Sequence, residues 1–286
     1  MAVVATGFFD GVHIGHRLVI DTLVNEARHR GEESVIATLW PHPRIVLGDD
    51  AFSLRLLNSL DEKTALLKGL GVDRVEVLPF TREFASLTAE EYLRSYVKEH
   101  FGGSALLMGY DNRLGSDRST PKQTAATAHA LGLDVISTDK VSAVGIAVSS
   151  TKIRAALSAG DVSLASRFLC YNYSLSGEVV HGKRLGRTIG YPTANIEVAE
   201  KLKLIPAAGV YLTETRLGER TFKSMTNISS TVETHIFDFD EDIYGEILNV
   251  SFLRRVRDEI SFDSLEDLKF QLMKDEINCK KLLLEL

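Results

Sequence analysis

Cysteine, long apolar runs and an excess of positive charge are all scarce or missing in this 286-residue sequence. Its two cysteines, Cys170 and Cys279, have no CxxC partner, so neither a zinc site nor a disulfide framework is predicted. The apolar stretch Ala2–Phe9 is shorter than a membrane span and lacks the basic start of a secretory signal. With 33 Lys and Arg against 39 Asp and Glu, the formal charge is −6, which argues against a general nucleic-acid coat. We therefore expect a cytoplasmic protein with no membrane partner and no nucleic-acid partner.

The character of the sequence changes near residue 170, which indicates two domains, 1–169 and 170–286. In the first part, short β-branched runs alternate with helical patterns, as in a doubly wound α/β sheet. The expected strands are Ala2–Gly7, Ser34–Leu39, Arg74–Leu78, Ala105–Met108 and Asp134–Ser137.

The second part consists of strand-like segments separated by glycine turns, which predict a small antiparallel β-barrel or sandwich. The expected strands are Leu175–His181, Gly209–Thr215, Thr221–Asn227, Val232–Phe239 and Ile247–Phe252. A final helix is predicted over Ser264–Leu286, because apolar residues recur at helical spacing behind an Asp263/Ser264 cap. The residues expected to share its buried face are Leu265, Leu268, Leu272, Cys279 and Leu283.

The first candidate site is the run from Gly7 to His16, which follows the first strand and opens a helix. Glycines let backbone approach a phosphate, a helix N-terminus offers free N–H groups, and two imidazoles can hydrogen-bond a phosphoryl group. One histidine alone would fit a simple strand-to-helix turn, but two histidines beside three glycines and Asp10 favour a functional site. Zinc binding by His13 and His16 is a weaker alternative, because no further ligands stand near them.

A second segment, Ser149–Arg154, opens another helix with hydroxyl groups and cations that suit the terminal phosphates of a nucleotide. Taken alone it fits an ordinary Ser/Thr helix cap. In combination with the histidine turn it is much more specific.

Together these two segments resemble the nucleotidyltransferases with a His-x-Gly-His signature, and most of all the FAD synthetase half of bacterial bifunctional riboflavin kinase/FAD synthetases. Three further landmarks agree with that family: Pro41-His42-Pro43, Leu78-Pro79-Phe80-Thr81 and Gly109-Tyr110-Asp111-x-Arg113. The resemblance implies a Rossmann-like domain in which the FMN phosphate attacks the α-phosphorus of ATP and releases pyrophosphate.

The resemblance also implies roles for individual residues. His13 and His16 would hold the ATP phosphates and stabilise the transition state, and Asp111 and Arg113 would lie on the flavin side. The remaining ATP and phosphate contacts would come from Gly7, Phe9, Asp10, Gly11, Gly15, Ser150, Thr151 and Arg154.

One departure concerns the flavin side. The family usually has aromatic residues on both sides of the arginine, whereas this chain has Asn112 and Leu114 there. Stacking on the flavin would then be weaker or come from Trp40 or Phe9. Burial as a packing residue explains Trp40 equally well.

The second candidate site is the basic, glycine-rich run from His181 to Asn195. It nearly matches a phosphate-binding P-loop, but Arg184 stands where Ser or Thr is required and no helix signal follows, so we reject that interpretation. Glycines with Lys183, Arg184 and Arg187 can surround a polyphosphate, while Thr193 and Asn195 offer neutral oxygen ligands for Mg²⁺. A solvated hairpin turn is the simple alternative.

This run, with its Pro-Thr-Ala-Asn motif, resembles the riboflavin kinase module, and the resemblance continues to Arg257-Asp258-Glu259. It implies transfer of the γ-phosphoryl group of ATP to the terminal ribityl hydroxyl of riboflavin, with Glu233 as the general base. Arg257 and Glu259 would contact the flavin ring, although a surface ion pair would also explain them. The implied phosphate contacts are Gly182, Lys183, Arg187 and Gly190, and the implied metal ligands are Thr193 and Asn195.

The loop between Asn227 and Glu233 is shorter than is usual in that family, which leaves a degenerate kinase barrel as an alternative. A flavin- or nucleotide-sensing protein without catalysis is a second alternative. The prediction is a bifunctional enzyme that makes FMN from riboflavin and FAD from FMN, using ATP and Mg²⁺ for both. The sequence leaves the oligomeric state open.

Overall fold

A computed structural model describes residues 1–48, 54–109, 113–138, 148–182 and 185–285. The chain folds into two compact units, Met1–Ser150 and Thr151–Leu286.

The first unit contains a five-stranded, all-parallel sheet in the order β3-β2-β1-β4-β5. The strands are β1 (Ala2–Thr6), β2 (Glu33–Trp40), β3 (Arg74–Pro79), β4 (Gly103–Gly109) and β5 (Asp134–Thr138). The helices are α1 (Ile14–Arg30), α2 (Pro43–Leu47), α3 (Leu60–Gly69), α4 (Arg82–Ala85), α5 (Ala89–Tyr92, continued by a π-helix over Leu93–His100) and α6 (Pro121–Ala130), and α7 (Ser150–Ser158) begins at the end of this unit.

Both faces of this sheet are buried, which confirms the doubly wound α/β prediction. Alternate side chains of β1 enter different cores: Ala2 and Val4 pack with the α5 and α6 side, and Val3 and Ala5 pack with α1. The chain order reverses between β1 and β4, and the crevice beyond the carboxyl ends of strands at such a point is where α/β sheets bind ligands. The loop after β1, which carries the histidine motif, begins at this crevice.

The second unit is built around a closed antiparallel barrel with the strand order β10-β7-β6-β11-β8-β9, which confirms the barrel prediction. Its strands are β6 (Ser174–Val180), β7 (Ala194–Val198), β8 (Gly209–Leu217), β9 (Arg220–Ile228), β10 (Val232–Ile236) and β11 (Ile247–Arg257), and its helices are α8 (Val162–Leu169), α9 (Leu185–Thr188) and α10 (Leu265–Leu283). Hydrogen bonds of 2.8–2.9 Å join buried hydroxyl groups of Thr213, Ser224, Thr226 and Thr234, so these polar groups are satisfied inside the barrel.

Several details of the second unit differ from the sequence predictions. Strand β10 ends at Ile236 instead of Phe239, because Asp238 has a φ of 54° and turns the chain. A one-turn helix, α9, lies inside the basic run from His181 to Asn195, where no helix is predicted. Leu265 is 50% exposed, whereas Cys279 is fully buried, so the buried face of α10 does not include its first residue. Within the described residues, none of the helices is long and apolar enough to cross a membrane.

Candidate functional site

The first candidate site is the loop between β1 and α1. Three of its residues have positive φ, namely Phe9 at 53°, Gly11 at 85° and Val12 at 38°. The β-branched Val12 is rare in this conformation, and backbone strain of this kind is concentrated at functional sites. His13 caps α1, and its Nδ1 accepts the backbone N–H of His16 at 3.4 Å.

The two imidazole rings of this loop stack at 3.7 Å with an angle of 14° between their planes. Gly15 permits this arrangement, since a Cβ there would lie 3.2 Å from Cε1 of His13. Burial lowers the pKa of His13 to about 4. The pKa of His16 lies well below its usual value, first through burial and then through the charges of His13 and Lys63. Both rings are therefore neutral at pH 7, and Nδ1 of His16 has no hydrogen-bond partner among the described residues.

Asp10 fixes the middle of the loop. Its Oδ1 accepts the backbone N–H groups of Leu57 at 2.9 Å and Asn58 at 3.3 Å, and its carbonyl oxygen accepts Ser150 Oγ at 2.9 Å. The Asp10 side chain thus ties the loop to the segment that contains Leu57 and Asn58. Ser150 reaches the loop, as the sequence predicts for the first residue of α7. Thr151 is exposed and Arg154 half-buried on the same helix.

An aromatic cavity of about 510 Å³ lies in the first unit, beside Thr6 and Gly7. Its walls include Phe80, Phe84 and Tyr92, and the Tyr92 hydroxyl is 2.8 Å from Thr6 Oγ1. Burial raises the pKa of Tyr92, which stays a neutral phenol. Arg113 and Leu114 line the cavity, whereas Asp111 lies outside the described residues.

The aromatic residues suggested from sequence take other positions. Phe9 is buried in the core with α1, and Trp40 stacks on Phe8 at 6.3 Å. The aromatic side chains that line the cavity are instead Phe80, Phe84 and Tyr92. In the sequence, Phe80 belongs to the Leu78-Pro79-Phe80-Thr81 landmark.

The second candidate site lies where β7 and β10 pair in the barrel. Asn195 stands opposite Glu233 in this ladder, and Thr193 Oγ1 is 3.4 Å from Glu233 Oε2. Thr231, from the short loop before β10, donates to Glu233 Oε1 at 3.0 Å. The three residues of the predicted metal and base set therefore come together, and the shortened loop supplies a partner for the carboxylate.

Glycine in the basic loop allows a close approach to this set. A Cβ on Gly182 would lie 2.2 Å from Nδ2 of Asn195, so only glycine fits there without displacement. Gly190 has a φ of 86°. Lys183 and Arg184 lie outside the described residues.

Two cavities share Thr193. The loop-side cavity, of about 300 Å³, has Arg187 at its wall together with Phe239, Ile243 and Tyr244. The helix-side cavity, of about 250 Å³, is lined by Glu233, Arg257, Glu259, and Leu268 and Leu272 of α10. Gly182 and Asn195 line a further groove of about 590 Å³ that also reaches Glu233. Thr193 therefore lines both the loop-side and the helix-side cavity, and Glu233 lines the helix-side cavity and the groove.

Arg257 is held in place by α10. Its Nε is 3.0 Å from both carboxylate oxygens of Asp275, and its Nη2 is 2.7 Å from Oδ2. Asp275 is fully buried and also accepts a hydrogen bond from Gln271 at 2.8 Å. The guanidinium group of Arg257 thus belongs to an ion pair, while the residue still lines the helix-side cavity. Sequence reasoning missed Asp275, because an acidic residue on an amphipathic helix is ordinarily solvated.

The fold and these sites define a two-domain transferase, with a nucleotidyltransferase-type α/β unit followed by a kinase barrel. Family models agree: FAD synthetase matches residues 1–152, and riboflavin kinase matches residues 169–283. The bifunctional riboflavin kinase/FMN adenylyltransferase of Listeria monocytogenes is 35% identical over 96% of this chain and 90% of its own length. That of Escherichia coli is 34% identical over 98% of this chain and 92% of its own.

The chain therefore belongs to the bifunctional riboflavin kinase/FMN adenylyltransferase family. It is an enzyme of flavin cofactor biosynthesis, with the FAD synthetase domain first and the riboflavin kinase domain second. A crystal structure described as a macrolide-efflux protein from Streptococcus pneumoniae has the same fold, with a TM-score of 0.89 and 33% identity over 98% of this chain and 94% of that one.

Proposed function

We propose that the two candidate sites are the two active centres, with the histidine loop making FAD and the Thr193–Asn195–Glu233 set making FMN. The observation that carries this proposal is the convergence of Thr193, Asn195 and Glu233 at one place in the barrel wall, in a chain whose histidine loop forms a second, separate site. The domains would act as 1–169 and 170–286, with α7 contributing to the first site.

In the first domain, FMN would sit with its ring system in the aromatic cavity. An FMN phosphate oxygen then forms a bond to the α-phosphorus of ATP, and the bond from that phosphorus to the bridging oxygen breaks to release pyrophosphate. Because Nδ1 of His13 accepts a backbone N–H, the neutral ring carries its proton on Nε2. His13 and His16 would act as neutral donors to the phosphates, together with the N-terminus of α1.

The glycines of this loop, Gly7, Gly11 and Gly15, would give the nucleotide access to backbone N–H groups, with Phe9 and Asp10 holding the loop in shape. Ser150, Thr151 and Arg154 would bind the β- and γ-phosphates, and Arg113 would face the flavin. Asp111 is retained as a flavin contact on the family resemblance alone.

In the second domain, the helix-side cavity would hold riboflavin and the loop-side cavity ATP. Glu233 would accept the proton of the terminal ribityl hydroxyl while that oxygen attacks the γ-phosphorus. Gly182, Lys183, Arg187 and Gly190 would surround the phosphates, and Arg257 and Glu259 would contact the flavin ring.

The oxygen donors beside Glu233 fit Mg²⁺, since a hydroxyl, an amide oxygen and a carboxylate are the hard ligands it prefers. Thr193 and Asn195 would hold the ion. When bound with ATP, it neutralises charge that develops on the phosphoryl group. ATP is a substrate of both reactions, which favours the cytoplasm as the compartment.

Reciprocal variants test the assignment. Glu233→Gln removes the proton acceptor and is expected to abolish FMN formation from riboflavin, while FAD formation from supplied FMN persists. His16→Ala is expected to stop FAD formation and to leave FMN formation intact. Chromatography of riboflavin, FMN and FAD in each reaction measures both. Loss of both activities in either folded variant would contradict the two-site proposal, as would unchanged FAD synthesis in His16→Ala.

A further inference from the structure

Lys63, a buried lysine with no part in the mechanism above, lies against the histidine loop. It stands on the first turn of α3 and is only 1% exposed. Both features oppose a cation there, because burial disfavours the charged form and the N-terminus of a helix repels positive charge. An exposed lysine later on the same helix avoids both costs, and Lys68 is in such a position.

The contacts of Lys63 are directed at one loop residue. Its Nζ donates to the carbonyl oxygen of Phe8 at 3.0 Å and lies 3.9 Å from the centre of the Phe8 ring. The same carbonyl oxygen accepts a hydrogen bond from Thr38 Oγ1 at 3.2 Å. The Phe8 peptide is thus held from α3 and from β2 at once, and its ring lies over the ammonium group.

The charges around Lys63 connect it to the catalytic loop. Burial lowers the pKa of Lys63 to about 8, and the Asp10 carboxylate opposes that shift, so the ammonium group is charged at neutral pH. Lys63 in turn helps to lower the pKa of His16, after burial and His13. The segment 57–63 is therefore tied to the loop twice, through Asp10 and through Phe8.

We propose that Lys63 is a positioning residue for FAD synthesis, which holds the Phe8 carbonyl to fix the loop 7–13 and places a fixed positive charge that acts on His16. The inference rests on the assignment of FAD synthesis to the histidine loop. It adds a cation, and the loop motif itself contains neither lysine nor arginine.

The test compares Lys63→Met, Lys63→Arg and the control Lys68→Met, an exposed lysine on the same helix. FAD formation from FMN and ATP is measured from acid to neutral pH, and riboflavin kinase activity of each preparation is the internal standard. Fluorescence of Trp40, the one tryptophan of the chain, reports folding close to Lys63, since its ring lies 5.6 Å from Nζ.

We expect Lys63→Met to lower kcat for FAD synthesis on the order of 10- to 100-fold. The acid limb of the pH–rate profile of Lys63→Met should move to higher pH, because His16 loses the neighbouring positive charge that disfavours its protonation. Lys63→Arg should keep the wild-type acid limb and recover part of the rate, and Lys68→Met should match the wild type. Kinase activity should be unchanged throughout.

If Lys63→Met makes FAD at the wild-type rate, the inference is overturned. A lower rate with an unchanged acid limb of the pH–rate profile would also overturn it, because that result indicates a merely structural role. If Trp40 fluorescence shows that Lys63→Met does not fold, the test uses Lys63→Arg instead. A pH–rate profile of folded Lys63→Arg whose acid limb differs from that of the wild type would also overturn the inference. A wild-type chain that makes no FAD from FMN would instead refute the assignment of the domain.

Discussion

The stacked pair His13 and His16 shows how burial would determine the chemistry of the proposed phosphate site. Two protonated rings at 3.7 Å would repel each other and would lose hydration, so both stay neutral. Neutral imidazoles would bind phosphate through directed N–H groups, without a charge that would also hold the pyrophosphate product. The positive end of α1 and the cation Lys63 would supply the charge from fixed positions.

Acid should lower the free energy of unfolding of the FAD synthetase domain by more than protonation of its carboxylates alone would. The folded pKa of His13, about 4, lies below the unfolded value of 6.5, so the unfolded state takes up the proton first. The free energy of unfolding then falls as the pH drops from about 6.5 to about 4, by about 3 kcal/mol for His13. Urea unfolding followed by Trp40 fluorescence at about pH 7 and about pH 5 measures this.

Two variants control the acid experiment. His29→Gln changes an exposed histidine of the same helix and should keep the wild-type pH dependence. The double variant His13→Gln/His16→Gln should lose most of it. Equal pH dependence in all three proteins would show that the buried imidazoles do not carry the effect.

Among the elements, α10 combines a structural role with a proposed binding role. Its Leu268 and Leu272 line the helix-side cavity, and its Asp275 pairs with Arg257 of β11. The buried carboxylate of Asp275 therefore ties the α10 wall of this cavity to the barrel. Removing one partner leaves the other charge buried without compensation.

Asp275→Asn should lower the free energy of unfolding of the barrel by about 3–5 kcal/mol, because Arg257 keeps its charge and loses its partner. The KM for riboflavin should rise, since the wall formed by α10 is no longer fixed, while FAD synthesis from FMN is unaffected. Thermal unfolding and kinase kinetics measure the two effects. Glu285→Gln is the control, because it removes an exposed 3.6 Å pair with Arg254 of the same strand and should cost little. Equal losses in both variants would contradict a special role for Asp275.

The strands whose residues alternate between apolar and polar, or are continuously apolar, could be predicted from the sequence. The prediction omits β7, although its five residues alternate apolar and polar side chains, because Ala194 and Asn195 also end the Pro-Thr-Ala-Asn motif of the predicted phosphate loop. β11 could not be predicted in full: it extends to Arg257 through three arginines, whereas residue propensities place its end at Phe252. In β11, long-range pairing outweighs local preference.

Across the two units, the motif residues were predictable and their supporting groups were not. His13, His16, Thr193, Asn195 and Glu233 stand in short runs whose residue types fit phosphate chemistry. Lys63, Tyr92 and Asp275 are distant in sequence from those runs and are recognised only once the fold brings them to a loop or a cavity. The variants of His16, Lys63, Glu233 and Asp275 described above test the roles proposed for those four residues.

The most direct test of a two-site enzyme is a time course with the unmodified protein. Riboflavin, ATP and Mg²⁺ are supplied, riboflavin, FMN and FAD are separated by chromatography, and a parallel sample receives FMN in place of riboflavin. We predict that FMN rises first and FAD follows, and that the FMN-fed sample makes FAD without delay. FAD formation in the FMN-fed sample alone would show that the barrel with its shortened loop lacks kinase activity, and the absence of both products would contradict the account as a whole.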